Sequence, residues 1–132
     1  MPAPEIIVTE QDVERLNRLL DVLPAQSTDA SALDRELARA RIVPPKSIPS
    51  DVVTMNSRVV FEDDSGKRSE VVLGYPHHAN GATISVLAPV GTALLGLRRG
   101  QSIEWCMPSG RSRRLHVLDV LYQPEAAGHF HL

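Results

Sequence analysis

Two consecutive prolines, Pro44 and Pro45, divide the sequence into stretches that obey different periodicities. Proline has no backbone N–H to donate, fixes φ and disfavours helix at the residue before it, so no helix can run through this point. The chain before the prolines must complete its own helices, and the chain after them must start a different architecture.

Residues 1–43 read as a pair of helices. Thr9 is followed at the third position by Asp12, an N-cap signature in which the usual partner would be Glu or Gln. Val13, Leu16, Leu20 and Leu23 then repeat at spacings of three and four, one face of a 3.6-residue period. Pro24 is expected to end that run, and Ala25, Gln26, Ser27 and Thr28 to make a short polar turn. A second helix is predicted from about Asp29, with Leu33, Leu37 and Ala40 on one stripe and Arg35, Glu36 and Arg39 facing away, running up to the prolines. A short connection favours antiparallel packing, giving a helical hairpin of coiled-coil type whose tip comprises Asp21, Pro24, Gln26 and Asp29. Arms of about 14 residues reach only about 21 Å. Read from these residues alone, the hairpin is a cap on the rest of the chain.

Residues 44–50 form a proline-containing linker, and residues 51–132 form a second domain built from strands. Val52, Val53, Val59, Val60 and Phe61 are β-branched or aromatic. The polar run from Glu62 to Lys67 marks a turn, and residues 69–75 return as a second strand. Residues 83–88 give another strand and residues 89–97 a short helix containing Leu94 and Leu95, which we expect in the core. Residues 102–107 and 113–123 give the last two strands. In the final strand Leu115, Val117, Asp119 and Leu121 alternate with His116, Leu118 and Val120, so neither face is cleanly polar. The fold class is therefore α+β: a helical hairpin followed by an antiparallel sheet of about five strands with one short helix.

Composition removes several functional classes. The 132 residues are 42% hydrophobic and 23% charged, an ordinary globular balance. With 14 Lys+Arg against 16 Asp+Glu the net charge is −2. Residues 51–132 carry eight cations and eight acids, so Arg98, Arg99, Arg111, Arg113 and Arg114 create no net field. Direct sequence-specific nucleic-acid binding is not expected, because it relies on many cations neutralising phosphates. A single cysteine, Cys106, cannot form an internal disulfide and sits beside Trp105 as a small core residue. No secretory leader and no membrane-length apolar run is present, so a cytoplasmic location with no membrane partner is the expectation.

Chemistry-bearing motifs are sparse. There is no phosphate-binding glycine loop, metalloprotease helix, CxxC pair or nucleophile elbow. His77-His78 adjoins a turn, and His129 and His131 lie near the C-terminus; neither pair has a third ligand at readable spacing, and solvent-exposed imidazoles explain both. Glu62, Asp63 and Asp64 are solvated charges at a turn. No catalytic residue, metal or cofactor is assigned, and the chain is not expected to be an enzyme.

The segment Ile-Ser-Val-Leu-Ala-Pro-Val-Gly-Thr-Ala-Leu-Leu-Gly-Leu-Arg-Arg-Gly at residues 84–100 resembles the signature of the C-terminal domain of the bacterial Gre transcription factors. Residues 51–59 (Asp-Val-Val-Thr-Met-Asn-Ser-Arg-Val) are similar to that domain's opening strand. Met107-Pro108-Ser109-Gly110 is similar to its Thr-Pro-Gly-Gly hairpin. Residues 51–59 and 88–97, with the ending Tyr-Gln-Pro-Glu-Ala-Ala-Gly at residues 122–128, look like the branch of the family that regulates nucleoside diphosphate kinase.

The resemblance implies an FKBP-like β-domain and bacterial RNA polymerase as partner. Gre factors extend a helical hairpin into the polymerase secondary channel, where acids at its tip help to hold a metal ion and a water for RNA hydrolysis. Here residues 23–28 contain no acid and only Asp21 and Asp29 flank them, so transcript cleavage is not expected. The β-domain's docking role, carried over residue by residue, falls on Pro89 with Leu87, Ala88 and Val90 beside it. Leu87 and Ala88 are more apolar than their Gre counterparts, and belong either to a docking edge or to the core. Three functions follow: a non-cleaving, polymerase-binding regulator at the channel mouth that competes with Gre-type factors; a regulator of nucleoside diphosphate kinase and so of nucleotide pools, by direct contact or by an indirect link through expression; and prolyl isomerisation. The last is poorly furnished, since two Phe, two Tyr and one Trp make a sparse aromatic pocket.

Overall fold

Thr9 starts the first helix in the manner its sequence dictates. In the computed structural model, which describes residues 4–24, 28–76, 81–106 and 112–129, Thr9 is in extended conformation and its hydroxyl accepts the Asp12 backbone N–H at 3.1 Å. Helix α1 spans Glu10–Asp21 and α2 spans Thr28–Arg39. Each has 12 residues, about 18 Å of rise. Leu16, Leu33 and Leu37 are buried, as the apolar stripe requires. Arg39 and Glu36 do not face away, however: they are half-buried and ion-paired, and the Arg39 guanidinium donates to the Pro4 carbonyl at 2.6 Å.

Neither helix ends where a proline would stop it. Helix α1 closes at Asp21, where the Val22 N–H returns to carbonyls of the last turn, and α2 closes at Arg39, short of Pro44. A short strand precedes the first helix and another follows the second. Ile7–Thr9 (β1) and Arg41–Val43 (β2) pair in parallel, with Val8 opposite Ile42. Parallel neighbours need a long crossover connection, and the two helices supply it. The helical pair is thus tied at its base by a small sheet. This arrangement was not visible in helical periodicity, because β-branched triplets of three residues are too short to show a period.

Residues 45–47 make one turn of 3₁₀ helix, after which Ile48 is buried against Ile7 and Val52. The expected opening strand at 51–59 forms only from Arg58. Residues 51–57 instead make a bridge from Val52 to Arg98 and then a tight turn, with Asn56 at φ 68°. Asparagine tolerates this left-handed conformation better than most side chains.

The main sheet contains β3 (Arg58–Asp63), β4 (Arg68–Gly74), β5 (Thr83–Ser85), β6 (Ser102–Cys106) and β7 (Ser112–Tyr122), in the order β5-β4-β3-β7-β6. All neighbours are antiparallel except β4 and β5, whose parallel pairing corrects the all-antiparallel expectation. Strand β5 is also shorter than predicted, and the helix after it, α3, covers Pro89–Leu94 rather than reaching residue 97.

The mixed faces of β7 have a specific cause. Its register against β3 shifts twice, so that Leu118 and Leu121 have no opposite partner. Each extra residue reverses which side faces inward. Leu115 and Val117 are buried from one parity and Val120 packs on the core from the other, while Leu121 is turned out.

One hydrophobic cluster joins both parts of the chain. Ile6, Val8, Leu16 and Leu33 share it with Met55, Val59, Leu94 and Leu115. Leu94 and Leu95 are fully buried, as expected.

Candidate functional site

The first candidate lies where β5 turns into α3. The Ser85 hydroxyl accepts the Leu87 N–H at 3.1 Å, and the Ser85 carbonyl accepts the Ala88 N–H at 3.0 Å. These bonds form a tight loop that delivers Pro89 to the first helical position, where its missing N–H costs nothing. The buried Thr92 hydroxyl donates to the Val86 carbonyl at 2.6 Å and fastens the helix to that loop. Gly91 permits the approach: a Cβ there would sit 2.0 Å from the Ser85 carbonyl oxygen. Pro89 is consequently exposed, with Ala88 half-buried beside it. Leu87 and Val90 pack partly on the main core while keeping some surface. All four predicted residues form one continuous surface element, and Leu87 and Val90 serve the core as well.

The second candidate is the far end of the helical pair. Asp21 and Pro24 are exposed, and Val22 is 79% exposed. Gln26 lies outside the described residues, as does the side chain of Asp29, itself within α2. His77, His78, His131, Arg111 and the hairpin at 107–110 also lie outside them, as do the side chains of Trp105 and Cys106. His129 is described, and its Nδ1 pairs with the Tyr122 hydroxyl at 2.6 Å. Among the described residues, no three His, Cys, Asp or Glu side chains gather so as to hold a metal ion. No helix among them is long and apolar enough to cross a membrane.

The four described arginines of the predicted basic group are each matched by an acid. Arg98 lies 3.4 Å from Asp51, Arg99 4.0 Å from Asp119, and Arg114 3.5 Å from Glu104. Arg113 meets both Asp63 and Asp64, at 3.5 and 3.0 Å. Asp63 is held below the usual carboxylate range, first by the Ser65 hydroxyl and then by backbone N–H groups of the turn and by Arg113. Such exposed pairs contribute little stability, but they neutralise the arginines as a phosphate-binding patch.

A third group was not anticipated. Asp12 is 2% exposed, and its Oδ2 accepts the Met55 backbone N–H at 3.1 Å. Around it, the Ser57 hydroxyl accepts the Thr54 N–H at 2.9 Å, and the Thr54 hydroxyl donates to Glu125 at 2.7 Å. Burial pushes the Asp12 carboxyl up to about 7; the negative charge of Glu125 acts in the same direction, and the Met55 N–H, Arg15 and Thr9 oppose it. Tyr75, hydrogen-bonded by Arg15, is likewise raised to about 12, mainly by burial. The one sequence signal for this group was Asp at the third helical position, where a Glu would reach back to the cap. The shorter carboxylate instead points across to the next element.

Comparison with known proteins places these elements together elsewhere. Residues 48–122 match the family described as "Transcription elongation factor, GreA/GreB, C-term", and residues 4–43 match "Rnk N-terminus". The chain is 47% identical to the regulator of nucleoside diphosphate kinase of Escherichia coli (strain K12), over 98% of each protein. It is 27% identical to the transcription elongation factor GreA of Sulfurovum sp. (strain NBC37-1), over 83% of this chain and 65% of that one. Among solved structures, the prokaryotic transcription elongation factor GreA/GreB from Nitrosomonas europaea superposes with a TM-score of 0.71 at 43% identity. That superposition covers 90% of this chain and 99% of the other.

Proposed function

The chain belongs to the GreA/GreB transcription elongation factor family, in the branch with the Rnk N-terminus, and from that premise we propose that it is a non-catalytic, cytoplasmic regulator of bacterial RNA polymerase. In this reading residues 51–132 form an FKBP-like docking domain and residues 1–43 a short coiled-coil hairpin, joined by residues 44–50. Pro89, flanked by Leu87, Ala88 and Val90, is the docking edge at the rim of the secondary channel, and the hairpin enters its mouth. The protein thereby competes with Gre-type factors for the same place.

The observation that carries the proposal is the exposed Pro89 element, held out by the Ser85 turn within the segment that matches GreA/GreB. Absence of cleavage is supported by the helices themselves: 12 residues each is about 18 Å of reach, and residues 22–28 carry no carboxylate to ligate a hard cation. The tip residues Asp21, Pro24, Gln26 and Asp29 then occupy space without chemistry.

Binding to core RNA polymerase, measured by co-purification and by displacement of a Gre factor, tests the proposal. The unsubstituted chain is expected to bind and displace, and Pro89→Asp to weaken both at least tenfold. Failure of the unsubstituted chain to bind overturns the reading. Backtracked complexes incubated with the protein should show no added cleavage; robust cleavage would refute the assigned lack of catalysis.

The name of the Escherichia coli relative favours a second reading, control of nucleoside diphosphate kinase level and nucleotide pools by a route that bypasses polymerase. Kinase level unchanged by deletion of the gene would exclude it.

A further inference from the structure

Asp12 is the point at which three separate parts of the chain meet. It stands in the first turn of α1, receives the Met55 N–H from the turn before β3, and lies within the field of Glu125 in the turn after β7. That turn is itself tied down by the Thr54 hydroxyl on Glu125, at 2.7 Å. Among the described residues, Arg15 of α1 and Tyr75, just past β4, complete the charged and titratable groups around the carboxyl. Thr9, Thr54 and Ser57 supply only hydroxyls.

We infer that Asp12 is a proton-operated latch: the neutral carboxyl holds α1 on the turn at residues 54–57, and the ionised carboxylate loosens that seat, so that pH sets how firmly the helical pair is attached to the main sheet. A polar group this deeply buried is tolerated when hydrogen-bonded, whereas a buried charge is costly unless fully paired. Here a second carboxylate, Glu125, adds repulsion, and Arg15 divides its attention with Tyr75. Burial sets the proton affinity so that the two states interchange around pH 7. Opening of α1 releases Asp12 to water, where its pKa returns to the ordinary carboxylate range. The opening equilibrium therefore grows roughly tenfold per pH unit until the closed form itself ionises.

This device is independent of polymerase docking, and the chain alone suffices to test it. Hydrogen exchange of α1 amides and of the Met55 amide, corrected for intrinsic rates, would be followed from about pH 5 to pH 8.5. A parallel ¹³C titration would follow the Asp12 carboxyl. The expected result is corrected exchange that rises tens of fold up to about pH 7 and then levels, with the carboxyl titrating at the same midpoint. Asp12→Asn should abolish the rise. Glu125→Gln, which keeps an acceptor for Thr54, should preserve the slope and move the midpoint to lower pH. A flat profile in the unsubstituted protein, a carboxyl midpoint below about 4.5, or an unmoved midpoint in Glu125→Gln would each overturn the latch. Because Glu125→Gln leaves Asp12 in place, the test survives even if Asp12→Asn does not fold.

Discussion

Asp12 and Met55, 43 positions apart in the chain, are joined by one hydrogen bond of 3.1 Å from the Met55 backbone N–H to the Asp12 carboxylate oxygen. Because both groups are buried, removing the acceptor leaves a donor without water or partner. Asp12→Ala should cost roughly 1–3 kcal/mol of stability, read as a lowered urea midpoint with the denaturant slope unchanged.

The pH dependence of that site has a definite sign. The Asp12 carboxyl binds its proton more tightly folded, at about 7, than unfolded, at 3.8. Its contribution to stability is therefore complete below about pH 4, declines as pH rises, and is lost above about pH 7. Asn cannot titrate, so the stability difference between the unsubstituted protein and Asp12→Asn isolates the effect. That difference should shrink by up to about 4 kcal/mol between pH 4 and pH 8. Urea titrations across the range check it; a constant difference would contradict it.

Gln123 directly follows the last strand and stitches the start of the second half of the chain to it. Its amide nitrogen donates to the Pro49 carbonyl at 2.7 Å and to the Val52 carbonyl at 2.9 Å, in a buried setting. Pro49 precedes the bridge that links Val52 to Arg98, so the amide holds a segment with little ladder of its own. Gln123→Ala should cost about 2–4 kcal/mol, since two carbonyls lose their donor. Gln123→Glu should cost more, because a carboxylate would face two acceptors. Thermal unfolding of the two variants would rank them.

How much of this could be read from the sequence depends on element length. The helices announce themselves because 12 residues hold several turns of period, and Leu16, Leu33 and Leu37 are buried where that period puts them. Strands β1 and β2 are three residues each and were missed. Residues 51–57 carry the right residues for a strand, yet Asn56 bends them into a turn that lets Met55 reach Asp12. Of the candidate sites, the Pro89 element was legible through family resemblance and the structure gives it exposure. The Asp12 group was not legible, because its partners Thr54 and Glu125 are joined only by the fold.

Strand β7 offers a prediction that alternation alone gets wrong. A regular strand would place Leu115, Val117, Asp119 and Leu121 on one face, but the two register shifts put Val117 at 0% exposure and Leu121 at 50%. Val117→Ala should cost roughly 2 kcal/mol or more through cavity formation. Leu121→Ala should stay within about 0.5 kcal/mol. Equal losses in denaturant melts would mean the strand keeps a single parity.

Gly91 reverses the usual rule for glycine in a helix. Replacing a helical glycine with alanine ordinarily gains about 1 kcal/mol, from reduced backbone freedom in the unfolded chain. At Gly91 the added methyl would fall 2.0 Å from the Ser85 carbonyl oxygen and 2.8 Å from its carbon, both backbone atoms that no rotamer can move. The helix must back away from the end of β5, which strains the Thr92–Val86 bond and displaces Pro89. Gly91→Ala should therefore lose at least about 3 kcal/mol, the upper range for overpacking. Gly81, although at φ 53°, has nothing within 4 Å of its would-be Cβ. Gly81→Asn, which suits that backbone, should stay within about 1 kcal/mol of the unsubstituted chain. A stable Gly91→Ala protein with an unshifted Thr92 hydroxyl would show that the approach of α3 to β5 is looser than 2.0 Å implies.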